Sequence, residues 1–179
     1  MLTVPDAWAR IERFAKDGGI ELALRGPATP DAIREAERAL GVALPEDFAA
    51  SLAIHDGQDN GYDVIWLPFA ERLGSLASLT SCWLDDRGYH EPHADAPYDD
   101  AGRVRQEDLL PGHIPFAGSP YWDYDRLIID LAPGPHGERG QIIARQDIDY
   151  VWIAPSYRAF LSQLAEDLVS GRRVPEKRT

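Results

Sequence analysis

Apolar residues recur at every third and fourth position through the first fifty residues and then give way to short continuous runs, so helices are expected first and strands later. Trp8, Ile11 and Phe14 mark a first helix that begins near Pro5 and stops at Gly18-Gly19. A second opens on Thr29, a natural N-cap, with Pro30 in its first turn. It carries Ile33, Ala36 and Leu40 on one face, and Gly41 supplies a left-handed stop. Pro45 starts a third, where Glu46 and Asp47 suit the positive end of the helix dipole. Phe48, Leu52 and Ile54 form its buried stripe, and His55-Asp56-Gly57 closes it.

The middle changes period. Aromatic and β-branched residues over 62–67 predict a strand between Asp59-Asn60-Gly61 and Pro68. Leu73, Leu76, Leu79 and Trp83 fit one face of a helix over 71–84, against the opposing influence of Gly74 and several serines. Residues 85–102 are polar, contain Pro92 and Pro97, and read as a long surface loop. Strands are expected over 114–117, 127–131, 141–144 and 148–153. The middle two are joined by a turn-rich connector, APGPHGERG. Pro155-Ser156 opens a last helix, with Phe160, Leu161, Leu164 and Leu168 inward and Gly171 as its stop, followed by a charged tail over 172–179. The expected class is α+β, a mainly antiparallel sheet flanked by N-terminal helices and a C-terminal helix, in a single domain of 179 residues whose core spans about 5–170.

Two stretches within this pattern carry a family likeness: LGVALPEDFAASLAIHDGQ over 40–58 and IIDLAPGPHGERGQII over 128–143, followed by the closing helix YRAFLSQLAEDLVSG. Together they resemble the SUKH superfamily, which includes the fungal cell-wall-assembly regulators, and the likeness covers about residues 5–170. Asp56-Gly57-Gln58 stands where many relatives show Asn-Gly-Gly. The resemblance implies a non-enzymatic protein-binding fold with no catalytic residues to carry over. In bacteria such domains are commonly immunity proteins that neutralise a toxin, often a nuclease or deaminase; fungal relatives act as regulatory partners in cell-wall synthesis.

Charge narrows the choice of partner. The net charge is −12, and residues 51–100 hold ten acids against Arg72 and Arg87 alone. Such a surface is a poor match for nucleic acid, whose phosphates demand a basic patch, and it steers basic proteins towards itself; solubility is the plainer reading of the same acidity. No run approaches the roughly 18 apolar residues of a membrane span, and the N-terminus lacks the features of a signal peptide. With a single cysteine, Cys82, that can form neither an intrachain disulfide nor a CxxC site, a cytoplasmic location is expected. The expected partner is a protein, in the immunity reading a basic toxin domain. The expected binding residues are Asp56, Asp59, Asp63, Asp85, Asp86, Tyr89, Glu91, Tyr98, Asp99, Asp100, Tyr121, Trp122, Asp123, Tyr124 and Asp125.

Candidate chemistry is thin. Asp123, Asp125 and Asp130 with His113 or His136 have the atom types of a metal set but no diagnostic spacing, and no cofactor or metal is expected. Asp123 and Asp125 suit a turn after Trp122, and Asp130 either faces solvent or caps a neighbouring backbone group. His55-Asp56 is read as a helix-end cap and turn rather than a catalytic dyad. Trp66, Trp83 and Cys82 sit on apolar patterns and belong to the core, whereas Tyr121, Trp122 and Tyr124 suit a core and an interface equally.

Overall fold

The computed structural model describes residues 1–59, 64–123, 125–147 and 149–177. Its first helix, α1 (Val4–Asp17), begins where the Thr3 hydroxyl accepts the Asp6 N–H, and it buries Val4, Ala7, Trp8, Ile11 and Ala15. In α2 (Pro30–Leu40) Thr29 caps the Ala32 N–H at 3.1 Å, and Gly41 leaves the helix at φ 71°. The short α3 (Glu46–Leu52) follows Pro45. It ends before Ile54, which packs against the core from outside the helix, so the expected third helix is shorter at its C-terminus.

The segment expected as one helix over 71–84 divides. It gives strand β2 (Arg72–Leu73) and then α4 (Leu76–Tyr89), whose cap Ser75 accepts the Ser78 N–H; strand β1 (Val64–Ile65) lies before this segment, within the strand expected over 62–67. Gly74 and Ser75 make the break, since Gly weakens helix and Ser favours a cap. The helix then runs on through Asp85–Tyr89, five residues into what the sequence suggested was loop. Four strands follow: β3 (His113–Gly118), β4 (Arg126–Asp130), β5 (Gln141–Gln146) and β6 (Asp149–Ala154). Helix α5 (Tyr157–Ser170) is capped by Ser156 and stopped by Gly171 at φ 74°. The charged tail is not wholly free, because β7 (Glu176–Lys177) pairs antiparallel with β1.

The main sheet has the order β2-β3-β4-β5-β6, with every neighbouring pair antiparallel. Alternation sends Leu127 and Ile129 of β4 to one face and Arg126, Ile128 and Asp130 to the other. The first face joins Ile114, Phe116, Ile142 and Ala144 to the helices in one large core, which includes Trp8, Trp66 and Trp83. Ser51 links three elements there: its hydroxyl accepts the Trp8 indole N–H at 2.8 Å and lies 3.0 Å from the Tyr157 hydroxyl.

Residues 90–112 cover the second face. Val104 packs with Ile128, Ile143 and Tyr150, the Arg103 guanidinium lies 4.4 Å over the Trp152 ring, and the Pro111 carbonyl accepts the Trp83 indole N–H. A segment that is polar in sequence thus closes a second, smaller core. Among the described residues, no helix is long and apolar enough to cross a membrane.

Candidate partner-binding surface

The acidic and aromatic residues singled out above separate into those directed into the chain and those left on its surface. Asp63 and Tyr124 lie outside the described residues. Asp56 is half-buried and accepts the Leu76 N–H at 2.6 Å, so it ties the turn after α3 to the start of α4. Asp86 pairs with Arg126 on β4. Asp99 accepts the N–H groups of Arg103 (2.5 Å) and Val104 (2.8 Å) and so shapes the covering segment. Trp122 is half-buried and packs on the core, with Gly74 beneath its ring; Asp123 accepts a hydrogen bond from Ser119 in the turn that was expected there. His55 differs from its expected role: its ring bonds Glu12 at 2.7 Å and lies 2.9 Å from the Arg25 carbonyl, linking α1 to the chain before α2 instead of capping α3.

On the surface remain Asp59, Asp85, Tyr89, Glu91, Tyr98, Asp100, Tyr121, Asp123 and Asp125. Tyr121 is 87% exposed and Tyr89 79%, far more than packing would leave a large ring. These residues are not one patch. Tyr121, Trp122, Asp123 and Asp125 lie between β3 and β4 at the Gly118–Arg126 end of the sheet, whereas Tyr98 to Arg105 lie against the β4–β5 hairpin at the opposite end, where Gly134 N–H bonds the Arg103 carbonyl. Helix α4 connects the two regions, through Asp86 to Arg126 and through Trp83 to Pro111.

The titratable groups richest in chemistry lie inside. His113, Asp130, Gln141 and Glu107 are all buried between the second face and its cover. Gln141 donates to Asp130 at 2.8 Å and to the Arg103 carbonyl at 2.9 Å, while Asp130 also accepts the Ala132 N–H, so Asp130 takes the capping role. Burial raises the Asp130 carboxyl above its usual range, opposed by the Gln141 and Ala132 hydrogen bonds. Burial likewise lowers His113 to about 3; neither ring nitrogen has a hydrogen-bond partner among the described residues, and Nε2 sits 3.7 Å from Asp130. Glu107 pairs with Arg105 at 2.6 Å, and Tyr150 donates to Asp108 at 2.7 Å.

This layer has no room for a substrate. The chamber beside His113, Arg126, Arg145 and Tyr150 holds about 10 Å³, the space of about one water. Asp130 at the end of β4 lies opposite His113 at the start of β3, and Asp123 and Asp125 lie at the other, Gly118–Arg126 end of this strand pair, so the carboxylate and histidine set does not converge; no group of three or more candidate metal ligands occurs among the described residues. Cys82 is buried, and its thiol is pushed up to about 12, chiefly by burial, which makes it a poor nucleophile. Glu107, Asp108 and Gln141 escaped sequence reasoning. Only Gln141 left a trace there, as a polar residue at the head of an apolar strand.

A model of the SMI1 / KNR4 family (SUKH-1) matches residues 27–163, which runs from before α2 into the first half of α5. The chain belongs to that family. Among SMI1/KNR4 relatives, it is 33% identical over 186 residues to the "Cell wall biosynthesis/cell cycle regulator smi1" of Schizosaccharomyces pombe, covering 94% of this chain and 37% of that protein. It is 29% identical over 210 residues to the "Glucan synthesis regulatory protein" of Neurospora crassa, covering 94% and 39%. With the "Cell wall assembly regulator SMI1" of Saccharomyces cerevisiae the figures are 27% over 203 residues, 92% and 40%. The chain therefore spans about two-fifths of the length of the SMI1/KNR4 relatives it matches.

Proposed function

We propose that this SMI1/KNR4-family chain is a non-catalytic protein-binding module, acting as a single cytoplasmic domain, whose exposed carboxylates and tyrosines engage a basic protein. The observation that carries the reading is the exposure of Asp85, Tyr89, Glu91, Asp100, Tyr121, Asp123 and Asp125, in two regions of a chain of net charge −12. Aromatic anchors ringed by charge suit a protein interface, and the chamber among the buried ionisable groups is too small for a substrate.

In the narrower form of this reading the partner is a toxin domain, such as a nuclease or deaminase, and the chain is its immunity protein. A nucleic-acid-cleaving toxin needs a basic site, which an acidic surface would cover. Co-expression with toxins encoded beside the gene tests this: rescue of growth and a complex that weakens as salt rises are expected, and failure of every neighbour to be neutralised counts against it.

A second reading is an endogenous regulatory partner. The names of the fungal relatives, which describe regulators of cell-wall biosynthesis, glucan synthesis and cell-wall assembly, favour it. Affinity purification with cross-linking separates the two, because a regulatory partner is recovered from cells that carry no toxin cassette.

A further inference from the structure

Two cavities meet at Phe69. One, of about 220 Å³, has apolar walls from Pro68, Ile153, Phe160 and Leu164. The other, of about 320 Å³, has Ile65, Leu67 and Ala70 on its floor and the carboxylates of Glu71, Asp123 and Asp125 around it. Phe69 and Arg173 line both.

Phe69 itself is unusual. Its backbone is left-handed at φ 57°, a region that bulky residues rarely occupy, and 40% of it is exposed. A strained backbone that holds a phenyl ring partly in solvent between two cavities gives up stability without filling the core. Arg173 donates to the Trp66 and Leu67 carbonyls, which fixes it against the wall of the groove. Asp123 and Asp125 together set two carboxylates at the larger cavity beside Arg173, which favours a cation there.

We propose that this groove is a docking slot for a partner segment that carries an apolar side chain next to a lysine or arginine. The smaller cavity has the volume for one aliphatic or aromatic side chain and falls short of a drug-sized ligand site. In the larger, a basic side chain lays its methylene stem along Ile65, sets its cation near the face of Phe69, and reaches Asp123 and Asp125. The proposal rests on the reading of the chain as a protein-binding module and names the chemistry of the segment bound.

Phage-displayed random dodecapeptides selected on the full chain at low salt test it. Enriched peptides are expected to carry Lys or Arg close to Leu, Ile or Phe, and to bind at least about tenfold less tightly at high salt. They are expected to lose at least about tenfold in affinity on Phe69→Gly, and again on the pair Asp123→Asn and Asp125→Asn. Glycine accepts the left-handed backbone, so Phe69→Gly removes the ring without adding strain, and its circular dichroism is expected to match the unaltered chain. Amide shifts at 67–71, 119 and 153 on adding a selected peptide locate the contact independently. No enrichment, enrichment of acidic peptides, or indifference to Phe69→Gly overturns the slot. A natural partner that binds Phe69→Gly as tightly as the unaltered chain also overturns it, while leaving the binding-module reading intact.

Discussion

The Gln106 carboxamide pairs with both backbone groups of Tyr150: its Oε1 accepts the Tyr150 N–H at 2.9 Å and its Nε2 donates to the Tyr150 carbonyl at 2.8 Å. A neighbouring strand would make the same two bonds, so Gln106 closes the outer edge of β6. Gln58 does the like at the other edge of the sheet, where its Oε1 accepts the Leu73 N–H at 2.8 Å and its own N–H donates to the Leu73 carbonyl at 3.2 Å. Exposed edges invite pairing with other chains, and here both edge strands are blocked by a glutamine.

Gln106→Ala is therefore expected to cost about 1–3 kcal/mol in urea unfolding, the penalty for leaving backbone groups unsatisfied. It also opens β6 to self-association, so a dimer should grow with concentration on size exclusion. Gln106→Glu keeps the acceptor and loses the donor, and should fall between the two. Unaltered stability in both variants would remove the edge-closing role.

Gly74 and Gly57 sit where two backbones and the Trp122 ring approach closely. A Cβ on Gly74 would run into the Trp122 ring, and one on Gly57, at φ 73°, into the Gly74 backbone. Gly74→Ala is expected to destabilise by about 1–3 kcal/mol, as overpacking does, with a change in tryptophan fluorescence from Trp122. Gly88, inside α4, has open space around it, and Gly88→Ala should instead stabilise by about 0.5–1 kcal/mol through helix propensity.

How much of this was legible varied with the type of signal. Helix ends set by Thr29, Gly41, Ser156 and Gly171 could be read directly, because capping depends on residues a few positions apart. Strands β3 to β6 were legible from apolar runs, although His113, Arg126 and Asp130 at their ends were harder to place, since polar groups enter a core only with partners from elsewhere in the chain. The path of 90–112 over the second face left no periodic trace: it is held by Asp99, Gln106 and Asp108, whose roles depend on contacts up to 44 residues away. The candidate surface was partly legible for a related reason. Composition shows that carboxylates are plentiful, but only the fold separates Asp56, Asp86 and Asp99, which bond inward, from Asp85, Asp100 and Asp125.

His113 is expected to contribute to the loss of stability at acid pH. Its folded value of about 3 lies below the ordinary 6.5, so between those limits the unfolded chain binds a proton that the folded chain refuses. The contribution is complete above about pH 6.5 and is lost as pH falls towards 3, at up to about 1.4 kcal/mol per pH unit. Asp130 acts in the opposite direction, because a raised carboxyl takes up its proton earlier when folded, and it moderates the loss. His113→Phe should flatten the decline in urea midpoint between pH 6 and 4, whereas an unchanged slope would assign the acid limb to other groups.

The Asp86–Arg126 pair separates folding from binding. Both side chains are mostly buried, and Arg126 also donates to the Trp122 carbonyl, so one pair joins α4, β4 and the turn that carries Tyr121 and Asp123. Asp86→Ala leaves the guanidinium without its carboxylate and is expected to cost about 3 kcal/mol, while Asp86→Leu combined with Arg126→Met should recover most of it. Cys82 supplies the measurement. Its thiol lies 3.7 Å from Asp86, and burial holds it in the unreactive protonated form, so labelling by a disulfide reagent reports opening of this region. Labelling should accelerate in Asp86→Ala and slow again in the double variant. If labelling rises in Asp86→Ala while global unfolding is unchanged, the pair fastens α4 to the sheet locally; if partner binding is lost in the double variant although stability returns, Asp86 contacts the partner as well as Arg126.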